Sequence, residues 1–181
     1  MPGKLSSKRI YTGRIVSLDV DQVEYPNGST GELEMIRHPG ASAIVPFLSD
    51  PAGENPQVLL IKQYRYAADG WMYEIPAGRL DAGEDPRTCA ARELREETGC
   101  TAAELRHLTT IYTTPGFTDE RIQIFLAAGL TQGEHARESD EFLSCEPLEL
   151  RRALEMIRAG EITDGKTIVG LLYSAGFISG L

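Results

Sequence analysis

From residue 8 to 37 apolar and polar residues alternate along the chain. "GRIVSLDVDQVEY" and "GELEMIR" carry the period of two that half-buried strands require, because successive side chains point to opposite faces. Between them "PNGSTG" supplies turn chemistry through Pro26, Asn27 and Gly28. The next segments, "ASAIVPFL" and "QVLLIKQYRY", are more continuously apolar, as central strands are. Their connection, "SDPAGENP", is polar and rich in breakers.

The period then changes. "EDPRTCAARELREETG" predicts a helix that Asp85 caps, Pro86 opens and Gly99 closes. "LRHLTTIYTT" and "RIQIFLAAGL" predict strands on either side of "PGFTDE". "EPLELRRALEMIRA" and "TIVGLLYSAGF" predict two closing helices with Gly160 between them. Strands interleaved with helices indicate an α/β fold with a mixed sheet. No repeat, low-complexity tract or interdomain linker interrupts it. The expected organisation is a β-rich segment over residues 1–40, its attachment left open, followed by one domain over residues 41–181.

Composition narrows the function. A length of 181 residues allows one domain with a sizeable core. The net charge of −9 argues against a sequence-independent grip on nucleic acid or an anionic membrane. An anionic substrate would need a local cationic group or a metal. Cys89, Cys100 and Cys145 have no CxxC spacing and read as reduced thiols in a cytoplasmic protein. His38, His107 and His135 are isolated, which argues against a zinc cluster. The N-terminus lacks the apolar run of a signal peptide, and no segment approaches membrane-spanning length.

One short stretch asks for chemistry. In "RELREETG" the residues Glu93, Glu96 and Glu97 fall within about a 100° arc of a helix. Glu93 and Glu97 form an i,i+4 like-charge pair, which weakens an isolated helix by a few tenths, ~0.3 kcal/mol. A helix selected only for solvation would interleave lysines there. Upstream, "EIPAGRLDAGED" sets a tight loop against the helix N-terminus. A carboxylate-rich helix face behind such a loop suits a hard divalent cation such as Mg²⁺, which prefers oxygen ligands and is commonly completed by substrate phosphates. The cation would relieve the repulsion and acidify a bound water.

The spacing also resembles a known family. Gly78, five residues, Glu84, seven residues and "RELREETGC" fit the Nudix box, Gly-x5-Glu-x7-Arg-Glu-U-x-Glu-Glu-x-Gly-U with U bulky and apolar. Cys100, modest in size at the last U, is the one soft departure. The resemblance implies a Nudix-type α/β/α sandwich in which Glu93, Glu96 and Glu97, with the backbone carbonyl of Ala77, hold divalent cations. These would be Mg²⁺, with Mn²⁺ as a substitute. Gly78, Glu84, Arg92 and Gly99 take structural roles, Glu84 and Arg92 bracing the loop against the helix. Without the complete box, the stretch would read as a charged, solvated helix.

A second likeness concerns substrate. Pro115 lies 16 residues beyond Gly99. With "EIPAG", "QYR" and "GEITDGKTIVGLLY", the segment "PGFTDE" resembles the ADP-ribose pyrophosphatase branch. That branch implies hydrolysis of ADP-ribose to AMP and ribose 5-phosphate by water attack at phosphorus. Pro115, Gly116, Phe117 and Glu120 become candidate substrate contacts, although a hairpin loop would use Pro-Gly too. Arg65 is either a phosphate contact or a surface strand residue. Phe117, Trp71, Tyr25 and Met35 are candidate walls for a base or ribose, with ordinary core packing the stronger explanation for each aromatic. In "HARESDEFLSC", alignment of "DEF" with the branch favours Glu141 as general base or further metal ligand, ahead of Glu138, with Asp140 beside them. The other reading is an exposed acidic loop.

Competing readings differ in class. "GEITDGKT" formally fits a phosphate-binding loop, but that loop needs a buried strand before it, and helical spacing precedes it here. Gly160 then reads as a helix cap and Gly165, Lys166 and Thr167 as the start of the last helix. A catalytically silent Nudix binding module would be signalled by loss of a box glutamate, and none is lost. Within the enzyme class, GDP-mannose or another nucleotide sugar, NADH and diadenosine polyphosphates are the alternative substrates. The resemblance further implies a homodimer that exchanges its N-terminal segments.

Overall fold

The alternating N-terminal segment folds as an antiparallel meander, and it begins earlier than its periodicity indicates. The computed structural model describes residues 2–133 and 143–180. Strand β1 (Gly3–Thr12) pairs with β2 (Ser17–Glu24), which pairs with β3 (Thr30–Arg37). The expected single strand "GRIVSLDVDQVEY" is broken by a turn in which the Gly13 N–H donates to Val16 O at 2.9 Å. All of β1 is exposed, so no apolar period was needed to mark it. The turn after β2 follows the sequence reading: Gly28 has φ 80, and its N–H donates to Tyr25 O at 2.9 Å.

The loop carrying "PGFTDE" belongs to this β-rich unit, which comprises Met1–Gly40 and Tyr112–Arg121. The Ile36 N–H donates to Phe117 O at 2.8 Å, and Ile36 bridges Thr118 in parallel. Proximity in sequence to the strands on either side of the loop did not reveal this pairing.

The other unit, Ala41–Ile111 with Ile122–Leu181, has its core on two faces of its strands. Its elements run β4 (Ala41–Pro46), β5 (Gln57–Arg65), β6 (Gly70–Glu74), β7 (Ala77–Arg79), α1 (Pro86–Thr98), β8 (Cys100–Tyr112), β9 (Arg121–Gln132), β10 (Leu143–Glu149), α2 (Leu150–Ala159) and α3 (Gly165–Ser174). One sheet has the order β7-β4-β9-β8 and the other β10-β5-β6. β4 runs parallel to β9 and antiparallel to β7, the mixed sheet expected.

Residues of alternate parity enter different clusters because a strand turns successive side chains to opposite sides. Ala43, Val45, Ile124, Leu126, Val58 and Leu60 join Met156 of α2 and Leu171 of α3. Ile44, Phe125, Ala127 and Leu59 join Ala90 and Leu94 of α1. Strands covered by helices on both sides make the α/β/α sandwich, and explain why "ASAIVPFL" shows no polar alternation.

Two boundaries differ from the sequence reading. "EPLE" closes strand β10 rather than opening α2, where a helix was expected from Glu146. β10 is an edge strand, so Pro147 can lack its N–H there. "GWMYE" forms β6, a short strand that aromatic residues and a leading glycine did not mark.

Candidate active site

Local chemistry sets α1 in place. Asp85 Oδ1 accepts the N–H groups of Arg87 and Thr88 at 3.0 and 3.2 Å, and Pro86 stands at the first turn. Gly99 closes the helix in the left-handed region, φ 74, its N–H donating to Arg95 O. Ser42 Oγ on β4 donates to Pro86 O at 2.7 Å, which ties the helix start to the sheet. With Ala90 and Leu94 turned into the core, the helix period carries Glu93 and Glu97 to positions only 8% and 2% exposed.

Buried carboxylates require hydrogen-bond or ionic partners. Glu97 Oε2 accepts the Ala77 N–H at 3.0 Å. Glu93 lies so close to Gly78 that a Cβ there would stand 1.8 Å from Glu93 Oε1. Gly78 is thus a glycine of close approach: any side chain would displace the carboxylate.

Arg92 gathers the remaining acids. Its Nε and Nη2 donate to the two Glu84 oxygens, both at 2.9 Å, and Nη2 also donates to Arg79 O at 3.1 Å. Its Nη1 donates to Glu93 Oε1 at 2.5 Å and to Glu96 Oε2 at 3.0 Å. Glu84 further accepts the Asp81 N–H at 3.0 Å, so the pair joins loop to helix. The Arg92 guanidinium, more than the Asp81 N–H, pulls the Glu84 carboxyl down to about 2. Contact with Glu84 first, then Glu93 and Glu96, holds Arg92 above its ordinary value. Cys89, beneath the same loop, is pushed up to about 11 by burial, with the Glu93 charge second.

This arrangement suits a hard divalent cation by its donors: three glutamates on adjacent turns of one helix, beside the Ala77–Gly78 backbone. Among the described residues no three acidic, histidine or cysteine side chains already converge in a ligand-like cluster. Arg92 Nη1 bridges Glu93 and Glu96 instead.

The other sequence candidates belong to elements outside α1 and the loop before it. Arg65 is held by both oxygens of Glu74, at 2.7 and 2.9 Å. Pro115, Gly116, Phe117 and Glu120 lie in the β-rich unit, where Glu120 Oε2 accepts from Thr113 Oγ1 at 2.9 Å and Glu120 Oε1 lies 3.3 Å from His38 Nδ1. Core packing does not account for the aromatics: Phe117 is 51% and Trp71 55% exposed, and Tyr25 is exposed too. Trp71 packs edge-on against Tyr64, with ring centroids 5.9 Å apart. Glu138, Asp140 and Glu141 lie outside the described residues.

Sequence reasoning missed a buried charge cluster. Glu74, 2% exposed, meets both Arg65 and Lys166, and Lys166 also meets Asp164 at 3.1 Å. The available signal is "DGKT", in which Gly165, Lys166 and Thr167 read from the sequence as the start of the last helix. α3 does start at Gly165, with Asp164 capping it.

The chain resembles known proteins over most of its length. The family model described as NUDIX domain matches residues 38–167. The chain is 41% identical over 171 residues to a methanol dehydrogenase activator of Bacillus methanolicus, covering 93% of this chain and 90% of the relative. It is 37% identical over 171 residues, with the same coverage, to an ADP-ribose pyrophosphatase of Bacillus subtilis. A solved structure described as an ADP compounds hydrolase superposes with a TM-score of 0.82 at 21% identity, covering 99% of this chain and 95% of that one. That last likeness bears on fold alone.

Proposed function

The chain belongs to the Nudix family, and from that premise we propose that it hydrolyses the diphosphate bond of ADP-ribose, giving AMP and ribose 5-phosphate by water attack at phosphorus. The observation that carries the reading is the complete set of α1 carboxylates, with Glu93 and Glu97 buried against the Ala77–Gly78 backbone. The 37% identity to an enzyme named for ADP-ribose supports the substrate.

In this reading Glu93, Glu96, Glu97 and the Ala77 carbonyl hold divalent cations, Mg²⁺ first and Mn²⁺ as a substitute. Such a cation supplies charge neutralisation at the diphosphate and a more acidic water. The chain's own part is positioning. The Ala77 N–H fixes the direction of the Glu97 carboxylate. Glu84 and Arg92 hold the loop against the helix. Arg92 holds Glu93 and Glu96 side by side. Glu141, with Glu138 second, is proposed as general base or additional ligand, and Pro115, Gly116, Phe117 and Glu120 as substrate contacts.

A homodimer built through the N-terminal segment, residues 1–40, is proposed as well. Its support is a fully exposed first strand bearing Leu5, Ile10 and Tyr11, the kind of edge that pairing covers. A cytoplasmic setting is proposed on the three free cysteines, and no helix among the described residues is long and apolar enough to cross a membrane.

The test is turnover of ADP-ribose with Mg²⁺, with and without EDTA, beside GDP-mannose, NADH and diadenosine polyphosphates. Metal-dependent release of AMP and ribose 5-phosphate, fastest with ADP-ribose, is expected. Faster turnover of another substrate would retain the chemistry and remove the substrate assignment. A second reading, activation of a dehydrogenase, follows from the relative of that name at 41% identity. Adding the protein to an alcohol dehydrogenase assay separates the two.

A further inference from the structure

The four residues Glu74 to Ala77 run from the end of β6 to the α1 carboxylates, and each is tied to another part of the unit. The Glu74 side chain is held by Arg65 and by Lys166, the latter at 2.5 Å. The Ile75 N–H donates to Thr167 Oγ1 at 2.8 Å. Pro76 O accepts from the Ile44 N–H at 2.9 Å. The Ala77 N–H donates to Glu97 Oε2 at 3.0 Å.

Two of these ties come from the first turn of α3. Asp164 Oδ2 accepts from the Thr167 N–H at 3.0 Å and from Thr167 Oγ1 at 2.6 Å. With its proton directed to Asp164, the hydroxyl presents a lone pair to the Ile75 N–H. Asp164 also lies 3.1 Å from Lys166 Nζ, which aligns the ammonium on Glu74. Thr167 is fully buried and Glu74 nearly so, so water is a poor substitute for either tie.

We infer that Asp164, Lys166 and Thr167 are positioning residues for the divalent-cation site: they lock the Glu74–Ala77 segment so that the Ala77 backbone meets Glu97 in one geometry. The inference rests on the metal-binding reading of the α1 glutamates. It gives "DGKT" a role unrelated to phosphate binding. The motif acts across the fold, through a segment 92 residues away in sequence.

The experiment is Mn²⁺ binding to the full-length protein without substrate, followed by the loss of free Mn²⁺ signal in electron paramagnetic resonance, with Tm recorded for each variant. Thr167→Val keeps the shape of the side chain and removes the acceptor of the Ile75 N–H. Groups that orient metal ligands change affinity by about 10- to 100-fold when removed, and a loss of about tenfold is expected. Thr167→Ser, which keeps the hydroxyl, should restore binding. Met156→Ala, in the core contributed by α2, should lower Tm and leave Mn²⁺ affinity unchanged.

Wild-type affinity in Thr167→Val, or an equal loss in Met156→Ala, would overturn the inference and leave the metal reading intact. Failure of the wild-type protein to bind Mn²⁺ would overturn the metal reading and this inference with it. Should Thr167→Val not fold, Lys166→Gln is read by the same criteria.

Discussion

The two units each hold an arginine among carboxylates, and they use it differently. In the β-rich unit Asp19 and Asp21 stand two apart on β2, so they share a face of the sheet. Asp19 meets Arg9 and Arg37, and Asp21 meets Arg37 and Ser7. The contacts run across the strands, and two arginines serve three aspartates, because Arg37 also meets Asp119 at 3.1 Å. In the helical unit the acids lie three and four apart on α1, and the Arg92 guanidinium is shared by Glu84, Glu93 and Glu96.

A cluster with two arginines to three acids is closer to charge balance and can serve as a brace. One in which a single guanidinium is divided among three acids retains use for further positive charge. The difference supports a structural part for the first cluster and a metal-binding part for the second. Both depend on burial, because an exposed arginine–carboxylate pair contributes about 1 kcal/mol or less.

Substitutions on the two sides should therefore break different things. Glu97→Gln removes the charge of a proposed metal ligand with little change of shape. Steady-state turnover of ADP-ribose should fall about a hundredfold or more, roughly 3 kcal/mol in the barrier, while Tm stays near wild type. Near-normal turnover would remove the ligand assignment. Arg37→Ala should act oppositely, lowering stability by about 2–3 kcal/mol in urea unfolding. It leaves Asp19 and Asp21 buried with fewer cations, in a setting only partly closed to water. An unchanged urea midpoint would mean that Arg9 and solvent suffice.

Acid should probe both clusters. Glu84 has a folded-state value of about 2 against an ordinary 4.5, chiefly through Arg92. A depressed carboxylate contributes stability that is present above 4.5 and is lost as pH falls through about 2. Asp19, through Arg9, and Asp21, through Ser7 and then Arg37, are lowered in the same direction. Stability should thus decline on acidification below about pH 4.5. Glu84→Gln should flatten that decline while leaving a residual slope from Asp19 and Asp21. Equal slopes in variant and wild type would contradict the Glu84–Arg92 pairing.

The smallest effect concerns Cys89. With its thiol raised to about 11, only about one part in a thousand is thiolate at pH 8. Mass spectrometry after brief iodoacetamide treatment of the native protein should find Cys89 unmodified. Rapid modification would show that the loop over α1 opens readily.

What the chain stated by itself was local. Asp85, Pro86 and Gly99 delimit α1 because caps act on neighbouring backbone groups. The glutamate spacing predicts a shared face because i,i+3 and i,i+4 neighbours meet on any helix. Gly28 and Asn27 specify their turn for similar reasons. The Nudix box is legible because it is nearly all one loop and one helix.

Tertiary structure decided the rest. That "PGFTDE" pairs with β3, that exposed β1 is a strand, and that Lys166 reaches Glu74 depend on contacts between residues remote in sequence. Periodicity carries no record of such contacts. A side chain's spacing shows which face it occupies, but only the folded chain determines what stands opposite that face.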